Sequence, residues 1–341
     1  MTIKFPVLIL FIVVLLVSCA AVFAVYVAGS DYPADLSGTE TLFVIERGES
    51  VTKIAQRLES EGFVRNKWYV VMRVRLENRS LKAGAFYISS AQPASRIIEI
   101  LHEGRSADRR ITIPEGMSIR KTARLLERES IIDGASFIAA AHDSVFVRSL
   151  GVPADSVEGY LFPDTYKFGI GSDAKTIITT MVKNFFVKTR NLESLPSDPE
   201  ELHRKVILAS IIEREYRVES EAPLISSVFT NRLKIGMGLY SCATVEYIIT
   251  EIQGRDHPSR LTNDDLAIQS DFNTYLWAGL PPGPISNPGL IALSASFSPE
   301  KTPFLYFRLN DPVRGTHTFT RSFDEHRDTG RDMYLKKAAG N

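Results

Sequence analysis

Two glutamates lie near the end of an apolar helical segment at 199–216, and one of them has the surroundings of a proton donor. At about 100° per residue, Glu213 falls on an apolar stripe of this segment, whereas Glu215 lies roughly 160° away. The residues of that stripe are Leu202, Val206 and Ala209. A carboxyl in such a position loses hydration, which raises its pKa. A carboxylic acid still protonated near neutral pH can cleave a glycosidic bond by protonating the leaving oxygen.

A structural ion pair is the alternative interpretation of Glu213. Arg232 follows on a later helical segment, and a carboxylate paired with its guanidinium would do no chemistry. The stripe alone does not distinguish a proton donor from this buried pair.

Segments before and after the glutamates indicate an α+β fold. Asp198 is a good N-cap, and Pro199 suits the first position of the helix that carries both carboxyls. Further helices are predicted at 173–190, 219–235, 263–268 and 288–297, and strands at 304–309 and 316–320. The Pro- and Gly-rich stretch 279–289 is predicted to be a rigid loop.

An internal similarity links residues 44–64 with residues 112–132, which align without gaps. Each copy has a short apolar strand, a Gly turn, and a serine, Ser50 or Ser118, placed to cap a helix. Gly62 is placed to end the first of these helices. Between the copies, helices are predicted at 67–76 and 95–102 and a strand at 85–89. Two copies are too few for a solenoid and favour small α+β modules.

The N-terminus is apolar and uncharged from residue 5 to residue 29, which is long enough to predict a transmembrane helix within residues 1–30. Lys4 precedes this stretch, so residues 31–341 are expected outside the cytoplasm, with 31–40 as a linker. A cleaved signal peptide would be shorter. A lipoprotein site at Cys19 is the other alternative, but the sequence stays apolar beyond it.

Composition excludes some functions. Lys plus Arg and Asp plus Glu both number 40, so no net charge attracts nucleic acid. The only cysteines are Cys19 and Cys242, one in the apolar N-terminal stretch and one beyond it, and no intrachain disulfide is expected. His317 and His326 lack metal-ligand spacing, so neither a metal nor a cofactor is predicted.

Several stretches, in one order along the chain, carry a resemblance to a known family. They are VEGYLFPDTYKF (157–168), LASIIEREY (208–216), SVFTNRLKIGMGL (227–239), SDFNTYLWAGLPPGPISNPGLIAL (270–293) and HTFTRSFDEH (317–326). Together they resemble the endolytic murein transglycosylases, the YceG-like lytic transglycosylases. The resemblance implies a LysM-like module at 41–105 and a catalytic domain at 106–341.

The resemblance also implies a reaction. Glu213 would be the catalytic acid/base, with Glu215 as the fallback. It would cleave the bond between N-acetylmuramic acid and N-acetylglucosamine without water and leave a 1,6-anhydro end. The implied substrate is nascent peptidoglycan, the implied partners are cell-wall synthases, and the implied location is the bacterial inner membrane.

Other residues are predicted to bind the glycan. They are Tyr160, Asp164, Tyr166, Asn231, Arg232, Thr244, Asn273 and Tyr275. The first three would bond or stack on a sugar ring, or would form a turn with packed aromatics. Asn231 and Arg232 would orient Glu213 or bind an acetamido or lactyl group, or would cap a helix end. Asn273 and Tyr275 would line one wall of the cleft.

One stretch departs from the family pattern. Ser241, Cys242 and Ala243 stand where the family usually has Ser-Asp-Pro, which puts subsite preference or rate in doubt. A nucleophilic pair of Cys242 with His317 is one alternative, without a supporting signature. The other alternative is a membrane scaffold for the synthases that holds glycan without cutting it.

Overall fold

Short strands and many helices alternate along the computed structural model, which describes residues 5–46, 48–104 and 108–338. Two compact units divide the chain, one formed by residues 1–109 with 167–172 and the other by the remaining residues, 110–166 and 173–341. The division falls inside the paired strands β3 (Asp108–Thr112) and β4 (Thr165–Gly169). The predicted α+β class is confirmed.

The first unit is built around an antiparallel strand pair. Its elements are α1 (Phe5–Asp31), β1 (Thr41–Ile45), α2 (Val51–Ser60), α3 (Lys67–Leu76), β2 (Gly84–Ile88) and α4 (Ala94–Glu103). Strands β1 and β2 pair from Thr41 opposite Ile88 to Ile45 opposite Gly84. Phe43, Phe86 and other residues from both strands and the helices α2–α4 form one apolar core. That the unit is a LysM-like module stays a prediction.

The predicted transmembrane helix is wrong. In the part of the chain that the structure describes, no helix combines the length and the apolar character needed to cross a membrane. The end of α1 instead belongs to the folded unit, since Asp31 accepts hydrogen bonds from the Ser95 amide (2.7 Å) and hydroxyl (3.0 Å). Val27 packs against the apolar core. Residues 1–4 of the segment 1–30, which was predicted to hold a cytoplasmic tip and the helix, lie outside the described residues.

The internal repeat is confirmed as local structure. Ser50 accepts a hydrogen bond from Lys53 N at the start of α2, and Ser118 accepts one from Lys121 N at the start of α5 (Ile119–Arg128). A glycine with positive φ precedes each cap, because the chain must turn there in a left-handed conformation. The same sequence pattern thus gives the same strand, turn and capped helix in each unit.

The second unit is larger and mostly helical. After α5 its helices are α6 (Gly134–Ala141), α7 (Ser144–Ser149), α8 (Ala174–Thr189), α9 (Pro199–Glu215), α10 (Ala222–Lys234), α11 (Cys242–Tyr247), α12 (Asn263–Leu266), α13 (Leu290–Phe297) and α14 (Phe323–Ala338). A 3-10 turn at Glu219–Glu221 precedes α10, and a π-helical turn at Ile248–Ile252 follows α11. Strands β5 (Tyr306–Asp311) and β6 (Thr316–Thr320) form an antiparallel hairpin.

Helix α9 lies at the centre of this unit. Every residue from Val206 to Ile212 is buried, and α10 and α13 pack against the helix. The helix begins as predicted, with Asp198 accepting from Glu201 N at 2.9 Å and Pro199 in the first turn. A helix that is apolar nearly all round must be covered on all sides.

Gly159 permits close packing on α9 and should not tolerate a methyl group. Its φ is +87°, and an added Cβ would lie 2.7 Å from Val206 Cγ1 and 2.6 Å from Pro284 Cγ. We expect Gly159→Ala to lower the free energy of unfolding by about 3 kcal/mol, from left-handed strain plus overpacking. Urea denaturation measures the change.

Gly236→Ala is the matched control for this substitution. Gly236 also has a positive φ, +68°, but nothing lies within 4 Å of an added Cβ. Backbone strain alone should then cost about 1–2 kcal/mol. Equal losses in the two variants would contradict the packing explanation.

Candidate active site

Glu213 lies in the last turn of α9, where the helix leaves the core. Its carboxylate is half-buried and contacts the loop that precedes α13, since the Gly289 amide donates to Oε2 at 3.0 Å. The Tyr216 hydroxyl faces the other oxygen, Oε1, at 3.5 Å. Glu213 therefore points neither into open solvent nor into the core but against a backbone amide.

A second carboxyl, that of Glu115, lies beside this contact. A Cβ placed on Gly289 would lie 1.9 Å from Glu115 Oε1, and one placed on Gly116 would lie 3.6 Å from Glu213 Cγ. The turn that carries Glu115 therefore packs directly against the end of α9. The site brings together two carboxyls and one amide donor.

The pKa of Glu213 reflects these neighbours. Burial, the largest effect, raises the pKa to about 7, and the negative charge of Glu115 acts in the same direction. The Gly289 amide and the Tyr216 hydroxyl stabilise the carboxylate and so limit the rise. The nearby charge of Arg214 also favours the ionised form. Glu213 can therefore both hold and release a proton near neutral pH.

Asn287 ties the Gly289 loop to its surroundings. Its side-chain amide donates to Met117 O at 2.8 Å and to Glu158 Oε1 at 2.9 Å, while its carbonyl accepts from Leu161 N. Backbone bonds between residues 287 and 116–117 join the two loops that flank Glu213. These bonds hold the Gly289 amide in place against the carboxylate.

The same loop is also bonded to α9 itself. Ser210 accepts a hydrogen bond from the Ile285 amide at 3.0 Å, and its carbonyl accepts one from the Ser286 hydroxyl at 3.0 Å. Ser210 lies one turn before Glu213 on the helix. The spacing between the helix end and the loop is therefore set by direct bonds on both sides of the site.

Glu158 is a buried carboxyl in this network. It accepts from the Ile119 amide with both oxygens, at 3.1 and 3.0 Å, and so caps the start of α5. Burial raises its pKa to about 8 despite these donors. Glu158 thus supports the loop that positions Glu213.

Glu215 lies on a different face of α9 and lines a cavity of about 570 Å³. The other residues of this cavity are Phe229, Arg232, Met237, Leu239, Tyr240, Ser241, Cys242, Tyr306, Phe307, Phe323 and His326. Ser241 donates a short hydrogen bond to Glu215 Oε1. Burial raises the pKa of Glu215 as well. The two glutamates of the pattern thus have separate surroundings.

Arg232 does not pair with Glu213, so the ion-pair interpretation is wrong. Its guanidinium donates to two backbone carbonyls, Leu305 O at 2.7 Å and Leu239 O at 2.6 Å. The neighbouring Asn231 donates to Thr302 O and Phe304 O. Both side chains hold the segment before β5 against α10, and Arg232 also borders the cavity.

Three further predicted residues lie around the start of α11. Thr244 is buried and shares a hydrogen bond with Thr274 at 2.9 Å between the hydroxyls. Asn273 is buried and donates to Leu266 O and Ile268 O. The Tyr275 hydroxyl lies 3.1 Å from Cys242 Sγ and so reaches the edge of the cavity. Thr244 and Asn273 thus support the backbone here.

The other predicted sugar-binding residues lie against α8 and have internal partners. Tyr160 is fully buried, with its hydroxyl 3.1 Å from His203 Nδ1. Asp164 accepts from Asn184 and Lys188, both at 3.0 Å, and these donors lower its pKa. Tyr166 is buried and donates to Phe162 O at 2.6 Å. These contacts match the packed-turn alternative, and no open ring face remains on Tyr160.

The altered Ser-Cys-Ala stretch lies at the start of α11, and Ser241 and Cys242 line the cavity. Cys242 is an exposed residue there. Partial desolvation of its thiol nevertheless raises the pKa of Cys242, which disfavours the reactive thiolate. His317 does not face it, because its ring bonds Glu221 Oε2 at 2.7 Å. A Cys242–His317 nucleophile is therefore wrong.

Sequence reasoning missed the residues that shape the surroundings of Glu213. Gly289 and Tyr216 lie inside stretches that resemble the family, but nothing in the spacing showed that they meet the carboxyl. Glu115 lies in the second repeat copy, three residues before the cap Ser118. The difference between the two copies at this position was a usable signal, since the first copy has Arg47 where the second has Glu115.

Comparison with known proteins gives one consistent result. The sequence model of the YceG-like family matches residues 43–332. A Bacillus subtilis protein named endolytic murein transglycosylase is 30% identical over 310 residues, covering 85% of this chain and 84% of that protein. A Streptococcus pneumoniae protein of the same name is 26% identical, covering 88% of this chain and 60% of that protein.

A solved structure is similar as well. The crystal structure of a yceG-like protein from Listeria monocytogenes superposes with a TM-score of 0.57 at 32% sequence identity. The match covers 86% of this chain and 99% of that one. The predicted family resemblance is confirmed by sequence and by fold.

The buried Glu158 should make stability fall as pH rises. Its folded pKa, about 8, lies above the unfolded value near 4.5, so the folded state binds the extra proton between these values. The contribution of Glu158 to the free energy of unfolding should be largest below about pH 4.5 and should decline by a few kcal/mol, roughly, up to pH 8. Glu158→Gln, which is neutral at every pH, should remove part of this decline.

Denaturant titrations at a series of pH values measure the slope. Glu201→Gln is the control, because Glu201 lies exposed on the first turn of α9 and should leave the slope unchanged. Glu213 and Glu215, whose pKa values are also raised, should keep a smaller slope in the Glu158 variant. An unchanged slope in Glu158→Gln would show that Glu158 is ionised in the folded protein.

Proposed function

The chain belongs to the YceG-like family, and from this premise we propose that it is an endolytic peptidoglycan lytic transglycosylase with Glu213 as its acid/base. The reaction is cleavage of the bond between N-acetylmuramic acid and N-acetylglucosamine within a glycan strand. The observation that carries the assignment to Glu213 is its half-buried carboxyl with a pKa of about 7, held by the Gly289 amide beside Glu115.

The first step is proton transfer from Glu213 to the glycosidic oxygen. The bond between this oxygen and C1 of the muramic acid residue then breaks, and the N-acetylglucosamine end leaves with the proton. Positive charge develops on C1 and its ring oxygen, as in other glycosidases. The carboxylate that remains on Glu213 is stabilised by the Gly289 amide at 3.0 Å.

The second step closes a ring within the substrate. The 6-hydroxyl of the muramic acid residue attacks C1, and Glu213 takes the hydroxyl proton as a base. A 1,6-anhydro end results, no water is consumed, and Glu213 regains its proton. One carboxyl suffices, because the attacking oxygen comes from the substrate and no second protein carboxylate must supply or activate a nucleophile.

The surroundings of Glu213 suit both steps. An acid/base works best when its pKa lies near the working pH, because it must give up a proton and then take one back. Burial and the Glu115 charge favour the protonated form before the first step. The Gly289 and Tyr216 donors favour the carboxylate before the second step. These opposing effects support Glu213 in both roles.

The cellular location and the protein partners of this chain are two further proposals. Because peptidoglycan is the substrate, we place the catalytic unit outside the cytoplasm. A partnership with cell-wall synthases follows from the same reasoning, since nascent strands are made by those enzymes. Both statements are proposals that rest on the substrate.

Replacing Glu213 by Gln should abolish turnover without unfolding the protein. The amide keeps the shape and the Gly289 contact but cannot donate an acidic proton, so the rate should fall by at least about 10²–10³-fold. Mass spectrometry of glycan strands treated with the full-length protein measures the anhydromuramyl ends. Glu201→Gln, on the exposed first turn of the same helix, is the matched control and should retain activity.

Two results would contradict the proposal. Reducing ends in place of anhydro ends would identify a hydrolase. Glycan binding without any turnover by the unmodified protein would favour the scaffold function.

The pH dependence should report the state of Glu213. Because the first step needs the protonated carboxyl, kcat/KM should decline as pH rises above about 7. In Glu115→Gln the neighbouring negative charge is lost, so the pKa of Glu213 should fall and the decline should begin at lower pH. Rates of anhydro-end formation between pH 5 and 9 measure both profiles. If the decline in kcat/KM begins at the same pH in Glu115→Gln as in the unmodified protein, a group other than Glu213 controls the decline.

A further inference from the structure

The first two turns of α5 carry positive charge that the reaction at Glu213 does not use. Arg120 and Lys121 lie in the first turn and Arg124 in the second, and the first turn has no acidic residue. The positive end of the helix dipole disfavours cations at this place. Helix α9 shows the usual arrangement, since its first turn carries two acids. The basic residues of α5 therefore cost stability and need an explanation other than folding.

The internal repeat gives a matched comparison for one of these residues. In the first copy Lys53 pairs with Glu49, at 3.9 Å. Lys121 is the counterpart of Lys53 in the second copy, where Met117 stands in place of Glu49. With the residues that the structure describes, the Lys121 ammonium forms no hydrogen bond and no ion pair. The second copy thus keeps the base and lacks its acid.

The surroundings of Lys121 are unfavourable for its charge. Arg124 lies three residues further along α5, so the two side chains are neighbours and repel each other. Burial, the largest effect, lowers the pKa of Lys121, and the charges of Arg214 and Arg124 act in the same direction. Glu251 and Glu246 oppose this shift. A bound anion would stabilise the ammonium further.

Arg214 connects this charge to the candidate active site. It follows Glu213 on α9, and a Cβ placed on Gly116 would lie 3.6 Å from Arg214 Cδ and 3.6 Å from Glu213 Cγ. The partly exposed guanidinium donates to Glu246 at 2.9 Å, and within the described residues it has no other hydrogen bond. A guanidinium has five N–H donors, so several remain for a ligand.

The acids near this charge already have partners. Glu246 accepts from Arg214 and lies 3.4 Å from His257 Nε2. Glu251 lies 4.0 Å from Arg120 Nε, and Arg120 also donates to the Glu251 backbone carbonyl at 3.2 Å. Arg120 is therefore committed to Glu251. The other two cations of the first two turns leave an excess of positive charge on this face.

We propose that Lys121, Arg124 and Arg214 form an anion site beside Glu213. Its ligand is a carboxylate on the lactyl side of the N-acetylmuramic acid residue, supplied by the peptide stem or by an unsubstituted lactyl group. The N-acetylated sugars themselves are neutral, so these carboxylates are what a positive site on a glycan-cleaving enzyme would recognise. The proposal rests on the proposed function, because it takes peptidoglycan as the ligand. It makes the charge of the strand a determinant of specificity.

The first experiment measures binding without any cleavage. The probe is N-acetylmuramyl-L-alanyl-D-isoglutamine, which has a carboxylate and no bond between two sugars. Acetylation of lysines by the N-hydroxysuccinimide ester of acetic acid is followed in the full-length protein by peptide mass spectrometry. At four times its dissociation constant the probe should slow acetylation of Lys121 about fivefold, by mass action. Lys183, which lies exposed on α8, should react at an unchanged rate.

Two further compounds separate the sources of the carboxylate. N-acetylmuramic acid has only the carboxylate of its lactyl group, so equal protection of Lys121 by this compound supports the lactyl source. Protection by the peptide probe alone supports the stem. The methyl ester of the probe is neutral and should give no protection. Equal protection by this ester would overturn the proposal, as would the absence of protection by both carboxylates.

The second experiment measures specificity in cleavage. Strands whose carboxylates have been converted to methylamides should be cleaved by the unmodified protein with a kcat/KM about tenfold below that of untreated strands, because a hydrogen bond between charged groups is lost. In Lys121→Met this ratio should fall to about twofold or less, whereas Lys121→Arg, which keeps the charge, should retain it. Lys183→Met is the matched control. A purely structural role of Lys121 would lower both rates and leave the ratio unchanged.

The outcomes separate this proposal from the proposed function. If anhydro ends form but Lys121 is never protected and the ratio does not depend on it, the anion site is refuted and the enzyme assignment stands. If the carboxylate probe protects Lys121 and no strand is cleaved, the anion site stands and the enzyme assignment fails. Glu213→Gln should lose turnover and keep the protection of Lys121.

Discussion

The hydrogen bond from the Gly289 amide to the Glu213 carboxylate is the contact on which the site depends. It joins the last turn of α9, where the helix dipole disfavours a negative charge, to the start of α13, where the dipole favours one. Neither element could hold the carboxyl near pKa 7 alone, since burial without the amide would raise the pKa further. The position of one loop relative to one helix therefore sets the acidity of the group.

That position is enforced from several directions. Ser210 bonds the loop from the body of α9, and Asn287 bonds it to Met117 and Glu158. The 115–117 turn, which brings Glu115 to the site, belongs to the second copy of the internal repeat. The strand–turn–helix pattern that occurs in both units thus carries, in the second, a carboxyl beside Glu213.

Three carboxyls in this unit show how surroundings separate similar groups. Burial raises the pKa of Glu158, Glu213 and Glu215 alike. Glu158 is enclosed by the amides it caps and acts as support, whereas Glu215 faces a cavity and bonds a serine. Glu213 combines partial exposure with a second carboxyl nearby.

The sequence alone determined the local elements and gave one candidate for the acid. Caps, Gly turns and apolar periodicity predicted the α+β class, the boundaries of α9 and the repeat, because these depend on residues within a few turns of each other. The stripe and the family resemblance selected Glu213. Tertiary structure decided which groups contact these side chains. Gly289 and Glu115 reach Glu213 from distant segments of the chain. Arg232 bonds backbone carbonyls and not Glu213, and Tyr160 is fully buried. Tertiary packing likewise ties the end of the predicted membrane helix to Ser95. Contacts between segments far apart in the chain depend on how helices and loops pack, and no local spacing encodes that.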